Sequence, residues 1–167
     1  MSAAVAPLKV IWFIGAEPEV FGRIEPLLRC FATEITHCGG VGTGQVVKIL
    51  NNMVLFETVN ALAEALAVGR RAGVAPELLF EVLAKGSADS FALRNHGVKA
   101  MLPGTFPERA FSTEYALKDL SYALALAAEL GLELPGAALV GDRLRTATEA
   151  GDGSKYWPVI AKLVDRA

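Results

Sequence analysis

A lysine and two carboxamides stand on one side of a predicted helix that follows a glycine-rich turn. Within the segment GGVGTGQVVKILNN these residues are Lys48, Asn51 and Asn52. At about 100° per residue, they fall with Gln45 in an arc of roughly 120° on an otherwise apolar helix. Because an unpaired buried charge is costly, this polar arc must meet water, a protein partner or a ligand. Two interpretations stay open: a solvated face from which Lys48 extends outward, or an active-site wall whose amine could exchange a proton with a reacting hydroxyl.

The glycines of the turn do not match either of two common nucleotide-binding loops. Gly39, Gly42 and Gly44 are spaced G-x-x-G-x-G, whereas the pyrophosphate loop of a dinucleotide-binding domain requires G-x-G-x-x-G. A P-loop requires a lysine directly after its last glycine, where this chain has Gln45. Taken individually, the glycines predict a tight turn from strand to helix, which needs positive φ angles and close packing.

Together, the glycines and the polar arc resemble the catalytic signature of the β-hydroxyacid dehydrogenases, a superfamily that includes 3-hydroxyisobutyrate dehydrogenase. The shared pattern is G-x-x-G-x-G-x-x-x-K-x-x-N-N, from Gly39 to Asn52. The similarity covers most of the chain, because it extends to the WFIG segment, the turn at 37–39, the long helix and a later Lys118-Asp119-Leu120. The resemblance implies an NAD(P)-dependent oxidoreductase that acts on the hydroxyl of a small 3-hydroxy acid.

The resemblance also implies roles for individual residues. Lys48 is expected to be the general acid/base and Asn52 to hydrogen-bond the substrate, with Asn51 and Gly44 as further substrate-binding residues. The imine reductases, which are close relatives, usually have another residue where Lys48 stands, so this lysine favours alcohol or aldehyde chemistry.

A second motif is expected to contact the cofactor. Lys118 and Asp119, within FSTEYALKDLSYALALA, are similar to the family segment whose lysine approaches NAD or NADP. Without the resemblance, Lys118 would be interpreted as an ordinary surface lysine, paired with Glu114 one helical turn earlier. Both interpretations can be compared with the structure.

The chain departs from the family pattern at its beginning. No G-x-G-x-x-G loop precedes the strand at Leu8, and the substrate-binding loop normally found just before that strand is missing as well. The cofactor phosphates and the substrate carboxylate therefore lose their main anchors. We expect the chain to be inactive without a nucleotide-binding domain, which a separate chain could supply. The alternative is a non-catalytic helical dimerisation or regulatory domain derived from the same family.

Composition excludes several other classes of protein. The net charge is −2 and no Lys/Arg run occurs, so a nucleic-acid partner is not expected. The start MSAAVAPLKV lacks the basic and long apolar segments of a signal peptide, and polar residues interrupt the apolar region Val46–Val68. We therefore expect a cytoplasmic protein with no membrane partner, in which Val46–Val68 is a buried helix.

Hydrophobic residues make up 53% of the chain, and an excess of this kind indicates closely packed helices or a homo-oligomeric interface such as a dimer.

The remaining polar candidates are weaker. Cys30 and Cys38 form no CxxC pair, and they are expected to be reduced thiols. His37 and His96 lack metal-ligand spacing, so no metal is expected, and each histidine is expected to cap or pack locally. The polar stretch Leu93–Gly97 could alternatively line the mouth of a pocket.

The expected fold is mainly α. Residues 1–41 are predicted to be a small β-α-β remnant of a Rossmann domain, and residues 42–167 a helical domain like the C-terminal domain of 6-phosphogluconate dehydrogenase. The periodicity predicts strands over Leu8–Ile14 and Glu34–His37. Helices are predicted over Glu17–Phe31 with a possible end or kink at Pro26, then over Gly44–Ala72, Pro76–Ala84, Ser112–Leu130, Gly136–Glu149 and Trp157–Val164, with short turns at Phe91–Asn95 and Val98–Met101.

Overall fold

The computed structural model describes residues 10–165, which form two short strands and a series of helices. The strands are β1 (Ile11–Ile14) and β2 (Glu34–His37). The α-helices are α1 (Pro18–Leu28), α2 (Thr43–Arg71), α3 (Pro76–Leu83), α4 (Thr113–Glu129), α5 (Pro135–Ala147) and α6 (Ala161–Asp165). A π-type helix (Leu93–Met101), a π-type turn (Thr148–Asp152) and a 3₁₀ turn (Trp157–Ile160) complete the described chain. The chain divides into two compact units, one up to Asn51 and one from Asn52 onward.

The first unit contains the predicted β-α-β arrangement. Strands β1 and β2 pair in parallel, with Ile11 opposite Glu34 and Ile14 opposite His37. Leu8 and Lys9 of the predicted first strand lie outside the described residues, and the strand begins at Ile11. The prediction that α1 continues to Phe31 was wrong, because the helix ends at Leu28, two residues after Pro26. Proline has no N–H to donate and disturbs the preceding turn, so the helix does not extend far beyond it.

The glycine-rich turn brings helix α2 into direct backbone contact with strand β1. A Cβ atom at Gly44 would lie 2.4 Å from the Phe13 carbonyl oxygen and 2.8 Å from the Gly15 nitrogen. Gly39 and Gly42 have φ angles of 109° and 93°, which other residues rarely adopt. The predicted tight turn from strand to helix is confirmed, and Gly44 is required by close packing.

Gly44→Ala is expected to destabilise the protein by about 1–3 kcal/mol or more, because the new methyl group would collide with backbone atoms that no side-chain rotation can move. Urea unfolding followed by the fluorescence of Trp12, on β1, measures the change. Gly22→Ala is the matched control: a Cβ there meets nothing within 4 Å, and alanine in a helix is favoured over glycine by roughly 0.5–1 kcal/mol. Equal stability of the two variants would contradict the packing argument.

The second unit is built around the C-terminal part of α2. Helices α4 and α5 pack against each other, and the π-type helix and the 3₁₀ turn contribute further core residues. Helix α4 begins as predicted, since the Ser112 side chain accepts a hydrogen bond from the Tyr115 N–H. The largest fully buried side chains of the unit are Phe56, Val59, Phe80, Leu93, Leu120, Val140, Leu144, Trp157, Val159 and Ile160.

Helix α2 is buried on one face only. Within residues 10–165 it is the one helix whose length and apolar composition would suffice to cross a membrane. Part of this apolar composition is explained by packing inside the protein, because Phe56 and Val59 are fully buried in the core. On the same helix, Glu64 forms an ion pair with Arg143 of α5 at 2.8 Å. Only 28% of its most apolar stretch is buried. The prediction of a buried helix therefore holds for one side, and the opposite side is exposed.

The second unit differs from the prediction in three further places. The two turns predicted around residues 91–101 are one continuous helix, because Gly97 does not break it: Gly97 is buried, and a Cβ there would lie 2.8 Å from the Phe80 ring. Helix α5 ends at Ala147 rather than Glu149, before the π-type turn in which Gly151 has a φ of 87°. The last predicted helix is divided into the 3₁₀ turn and α6.

Candidate functional site

The polar arc on α2 contains both exposed and partly buried residues. At about 100° per residue, Lys48 and Asn52 each lie within roughly 20° of Val59 around the helix axis. Val59 is completely buried, whereas Val47 and Val54, more than about 100° away, are exposed. Lys48 and Asn52 are themselves partly buried. Around the axis of α2, Lys48 and Asn52 thus lie on the same side as a fully buried residue and away from two exposed valines.

The other predicted substrate-binding residues have different surroundings. Asn51 is exposed, as is Gln45. Gly44 is buried against the backbone of β1, so its packing requires a glycine whether or not a substrate contacts it. Of the two carboxamides, Asn52 is the one on the core-facing side.

The second unit brings Asn52 together with the Lys118-Asp119 motif. Asn52 Nδ2 donates a hydrogen bond to Asp119 Oδ2 at 2.8 Å, although the two residues are 67 positions apart. The Asp119 side chain is 3% exposed, and the Lys118 ammonium lies 3.8 Å from its Oδ1 atom. An amide donor and a cation therefore offset the cost of burying this carboxylate. The two motifs that the sequence indicated separately form one cluster.

Lys118 is the solvent-accessible member of that cluster. Its side chain is 45% exposed, and its ammonium lies 3.7 Å from the centre of the Tyr115 ring. Interaction with the Tyr115 side chain, assisted by the charge of Asp119, raises the pKa of Lys118. Among the described residues its ion-pair partner is Asp119 and not Glu114, so the surface pair considered from the sequence was wrong.

A cleft of about 270 Å³ lies beside Asn52 in the second unit. Its walls are mostly aromatic, and two of its lining residues, His96 and Tyr156, are hydrogen-bonded through Nδ1 and the phenol oxygen at 2.5 Å. The lining residues are Asn52, Leu55, Phe56, Phe91, His96, Phe111, Tyr156 and Trp157.

Sequence reasoning found this cleft only in part. The stretch Leu93–Gly97 was one candidate for a pocket mouth, and its His96 does line the cleft. Tyr156 was missed, since it stands 60 positions later and no local pattern connects it with a histidine on another helix. His96 also packs locally, as expected, with its ring 5.9 Å from that of Phe91.

The stability of the protein is expected to fall below pH 6.5, because the fold buries His96 in its neutral form. Burial, assisted by the charge of Lys99, lowers the pKa of His96 from 6.5 to about 4. The unfolded chain therefore takes up this proton first, so the stabilisation is complete above pH 6.5 and is lost as the pH falls from 6.5 to about 4. Between pH 7 and pH 5 we expect a loss of about 2 kcal/mol that His96→Gln does not show. Urea unfolding at both pH values measures it, and an equal loss in both proteins would contradict the assignment.

The remaining polar candidates serve local structure. His37 Nε2 is hydrogen-bonded with the Ala16 carbonyl at 2.7 Å, and its ring stacks on Phe21, so its predicted local packing is confirmed. Cys30 and Cys38 are free thiols. Among residues 10–165, no group of three His, Cys, Asp or Glu side chains is placed to hold a metal ion.

Comparison with known proteins gives this arrangement a context. Residues 42–163 match the family model described as the NAD-binding domain of NADP-dependent 3-hydroxyisobutyrate dehydrogenase. A 2-(hydroxymethyl)glutarate dehydrogenase from Eubacterium barkeri is 32% identical over 150 residues, covering 90% of this chain and 50% of that protein. A 3-hydroxyisobutyrate dehydrogenase from Pseudomonas aeruginosa is 36% identical over 136 residues, covering 77% of this chain and 45% of its own length. The chain spans about half the length of the curated relatives it matches.

A solved structure agrees with these matches. The 3-hydroxyisobutyrate dehydrogenase of Mycobacterium tuberculosis, determined with L-serine, superposes with a TM-score of 0.86 at 25% identity, covering 95% of this chain and 56% of that one. The class defined by fold and relatives is that of oxidoreductases of small hydroxyacids. The chain belongs to the 3-hydroxyisobutyrate dehydrogenase family, whose cofactor is NAD(P).

Proposed function

We propose that the chain is the C-terminal part of an NAD(P)-dependent oxidoreductase that acts on the hydroxyl of a small 3-hydroxy acid, with Lys48 as the general acid/base. The observation that carries the proposal is the cluster in which Asn52, one helical turn after Lys48, donates a hydrogen bond to the buried Asp119 carboxylate beside the exposed Lys118 ammonium. A carboxylate that is only 3% exposed costs free energy to bury, so its presence in this cluster is best explained by a function.

The proposed chemistry assigns one task to each polar residue. Lys48 accepts the hydroxyl proton during oxidation and returns it during reduction. Asn52, one helical turn later, hydrogen-bonds the substrate, with Gly44 and Asn51 as secondary candidates for substrate contact. Asp119 is a positioning residue, because its buried carboxylate accepts the Asn52 amide hydrogen bond and so fixes the direction of that carboxamide.

NAD(P), when bound, supplies the hydride acceptor. The residues present fit such a group, since Lys118 offers an exposed ammonium that its surroundings keep cationic. Lys118 would hold the cofactor, and the Asp119 carboxylate, 3.8 Å from the Lys118 ammonium, would orient it. The family model begins at residue 42, which supports residues 42–167 as the helical domain and residues 1–41 as part of a nucleotide-binding domain. We expect the assembled enzyme to be cytoplasmic.

The test is to supply a G-x-G-x-x-G nucleotide-binding domain from a relative, in trans or by fusion, and to measure NAD(P)-dependent oxidation of 3-hydroxy acids. We expect activity in the mixture or fusion and none in either part alone. Saturable NAD(P) binding without turnover on any 3-hydroxy acid would reject the substrate class. A well-folded fusion that neither binds NAD(P) nor turns over would favour the alternative, a non-catalytic dimerisation or regulatory domain.

The exposed side of α2 supports a homo-oligomer. Val47, Val54, Ala61 and Val68 recur every seven residues, and all are exposed. An apolar stripe of this period is typical of helices that pair with another helix.

We expect Val54→Glu and Val68→Glu together to shift the chain from dimer to monomer, because burying two carboxylates in the paired stripe would be costly. Light scattering coupled to gel filtration measures the molar mass. Val82→Glu, at an exposed position of α3, is the control and should leave the mass of a dimer unchanged. A wild-type chain that is monomeric at all concentrations would disprove the proposed stripe interface.

A further inference from the structure

His96, one of the residues that line the aromatic cleft, carries a buried polar atom that lacks a hydrogen-bond partner. His96 is 8% exposed, and its Nε2 is the one buried side-chain nitrogen or oxygen atom among the described residues with no partner. Its other ring nitrogen is bound to the Tyr156 hydroxyl. Buried polar groups are nearly always hydrogen-bonded, so an orphaned atom requires an explanation.

The Tyr156 contact determines what the orphaned atom can do. An imidazole nitrogen is a stronger base than a phenol oxygen, and burial raises the pKa of Tyr156, so the phenol keeps its proton and donates it to Nδ1. The neutral imidazole then carries its own hydrogen on Nε2. The atom without a partner is therefore a donor, and it requires an acceptor.

The walls of the cleft define the rest of the ligand. Phe56, Phe91, Phe111 and Trp157 surround a volume of about 270 Å³, larger than the roughly 150 Å³ cavity that suffices for a benzene ring. The imidazole is uncharged, and aromatic walls do not compensate a buried anion. A carboxylate is therefore disfavoured at this point, and a carbonyl or hydroxyl oxygen is favoured.

We propose that this cleft binds an apolar, ring-sized group carrying one neutral oxygen, which accepts a hydrogen bond from His96 Nε2–H. Because Asn52 borders the cleft, the group is the substituent of the hydroxy acid, and that part of the inference rests on the proposed function. The His96–Tyr156 pair is then a specificity determinant that favours substrates with an oxygen in the substituent over purely hydrocarbon ones.

Three molecules of similar shape test the inference on the full chain: acetophenone, ethylbenzene and benzoate. We expect acetophenone to bind about 3- to 10-fold more tightly than ethylbenzene, as one added hydrogen bond allows, and benzoate to bind more weakly than acetophenone. Ligand titration by NMR gives the affinities. The ¹⁵N resonance of His96 Nε2 should shift with acetophenone and stay in place with ethylbenzene.

Variants separate the hydrogen bond from the shape of the cleft. Tyr156→Phe keeps the aromatic wall and removes the hydroxyl that fixes the imidazole, so the preference for acetophenone should fall toward unity; His96→Phe should abolish it. Tyr122→Phe, outside the cleft, should leave the preference for acetophenone unchanged.

Equal affinity for acetophenone and ethylbenzene in the native chain, or acetophenone binding with no shift at His96, would overturn the proposal. If the cleft fails these tests but the fusion enzyme is active, only the proposed ligand of the cleft is rejected. If acetophenone binds as expected but the fusion is inactive, the proposed reaction is rejected instead.

Discussion

Lys48→Ala is expected to lower kcat/KM of the assembled enzyme by about 10²- to 10⁴-fold, the range that a positioned proton-transfer group contributes. The loss should be similar for Lys48→Arg, because a guanidinium keeps the positive charge but cannot give up its proton at ordinary pH. The arginine variant thus distinguishes proton transfer from simple attraction between the lysine charge and the substrate. Steady-state kinetics on the fusion with a nucleotide-binding domain measures both variants.

The control for this experiment is Lys85→Ala. Lys85 is exposed and pairs with Glu81 on the surface, a type of contact that contributes little to stability, so turnover should change by less than about 2-fold. Melting temperatures of all three variants establish that each is folded. If Lys48→Arg retains half of the native kcat/KM, Lys48 is not the general acid/base.

Asn52→Leu is expected to lower the free energy of unfolding by about 3 kcal/mol, since it removes an amide donor from a buried carboxylate. Asp119→Leu alone should be destabilising as well, because it leaves the Asn52 amide without this acceptor. The double variant should recover much of the loss, because two apolar side chains can replace a hydrogen-bonded polar pair at little cost. Urea unfolding of the four proteins gives the coupling energy directly.

Additive losses in this cycle would show that the 2.8 Å contact between Asn52 and Asp119 carries no coupling. The same variants have a second use in the assembled enzyme. If Asp119 acts only by positioning Asn52, Asp119→Asn should raise KM more than it lowers kcat. Asp119→Asn in an Asn52→Leu background should then have little further effect on the kinetics.

Local signals in the sequence predicted most of the fold. The two strands, the long helix and the Ser112 cap follow from apolar runs, helical periodicity and a capping residue, which act over a few positions only. The wrong end of α1 has a local cause in Pro26, whereas the error around Gly97 does not. Two short turns were predicted at Phe91–Asn95 and Val98–Met101, whereas the structure has one helix in which Gly97 is buried where a larger side chain would collide with the Phe80 ring.

The sequence indicated individual residues of the candidate site, but it did not indicate which of them contact one another. Spacing and resemblance indicated Lys48, Asn52, Lys118 and Asp119, and the structure brings the last three into one cluster. The hydrogen bond between Asn52 and Asp119 has no local signal, because it depends on how two helices pack. The same reason explains why Tyr156 was missed, since only the folded chain places it beside His96.

The close approach of Gly44 to the β1 backbone has a consequence for the proposed proton transfer by Lys48. It fixes the angular phase of α2 four residues before Lys48, and a slip of one residue at that point would turn the amine by about 100° and move it about 1.5 Å along the axis. The direction in which the Lys48 side chain leaves the helix thus depends on the packing of Gly44, a residue that has no side chain. Insertions and deletions between the strand and the lysine should consequently be tolerated far less than changes of residue type in the same interval.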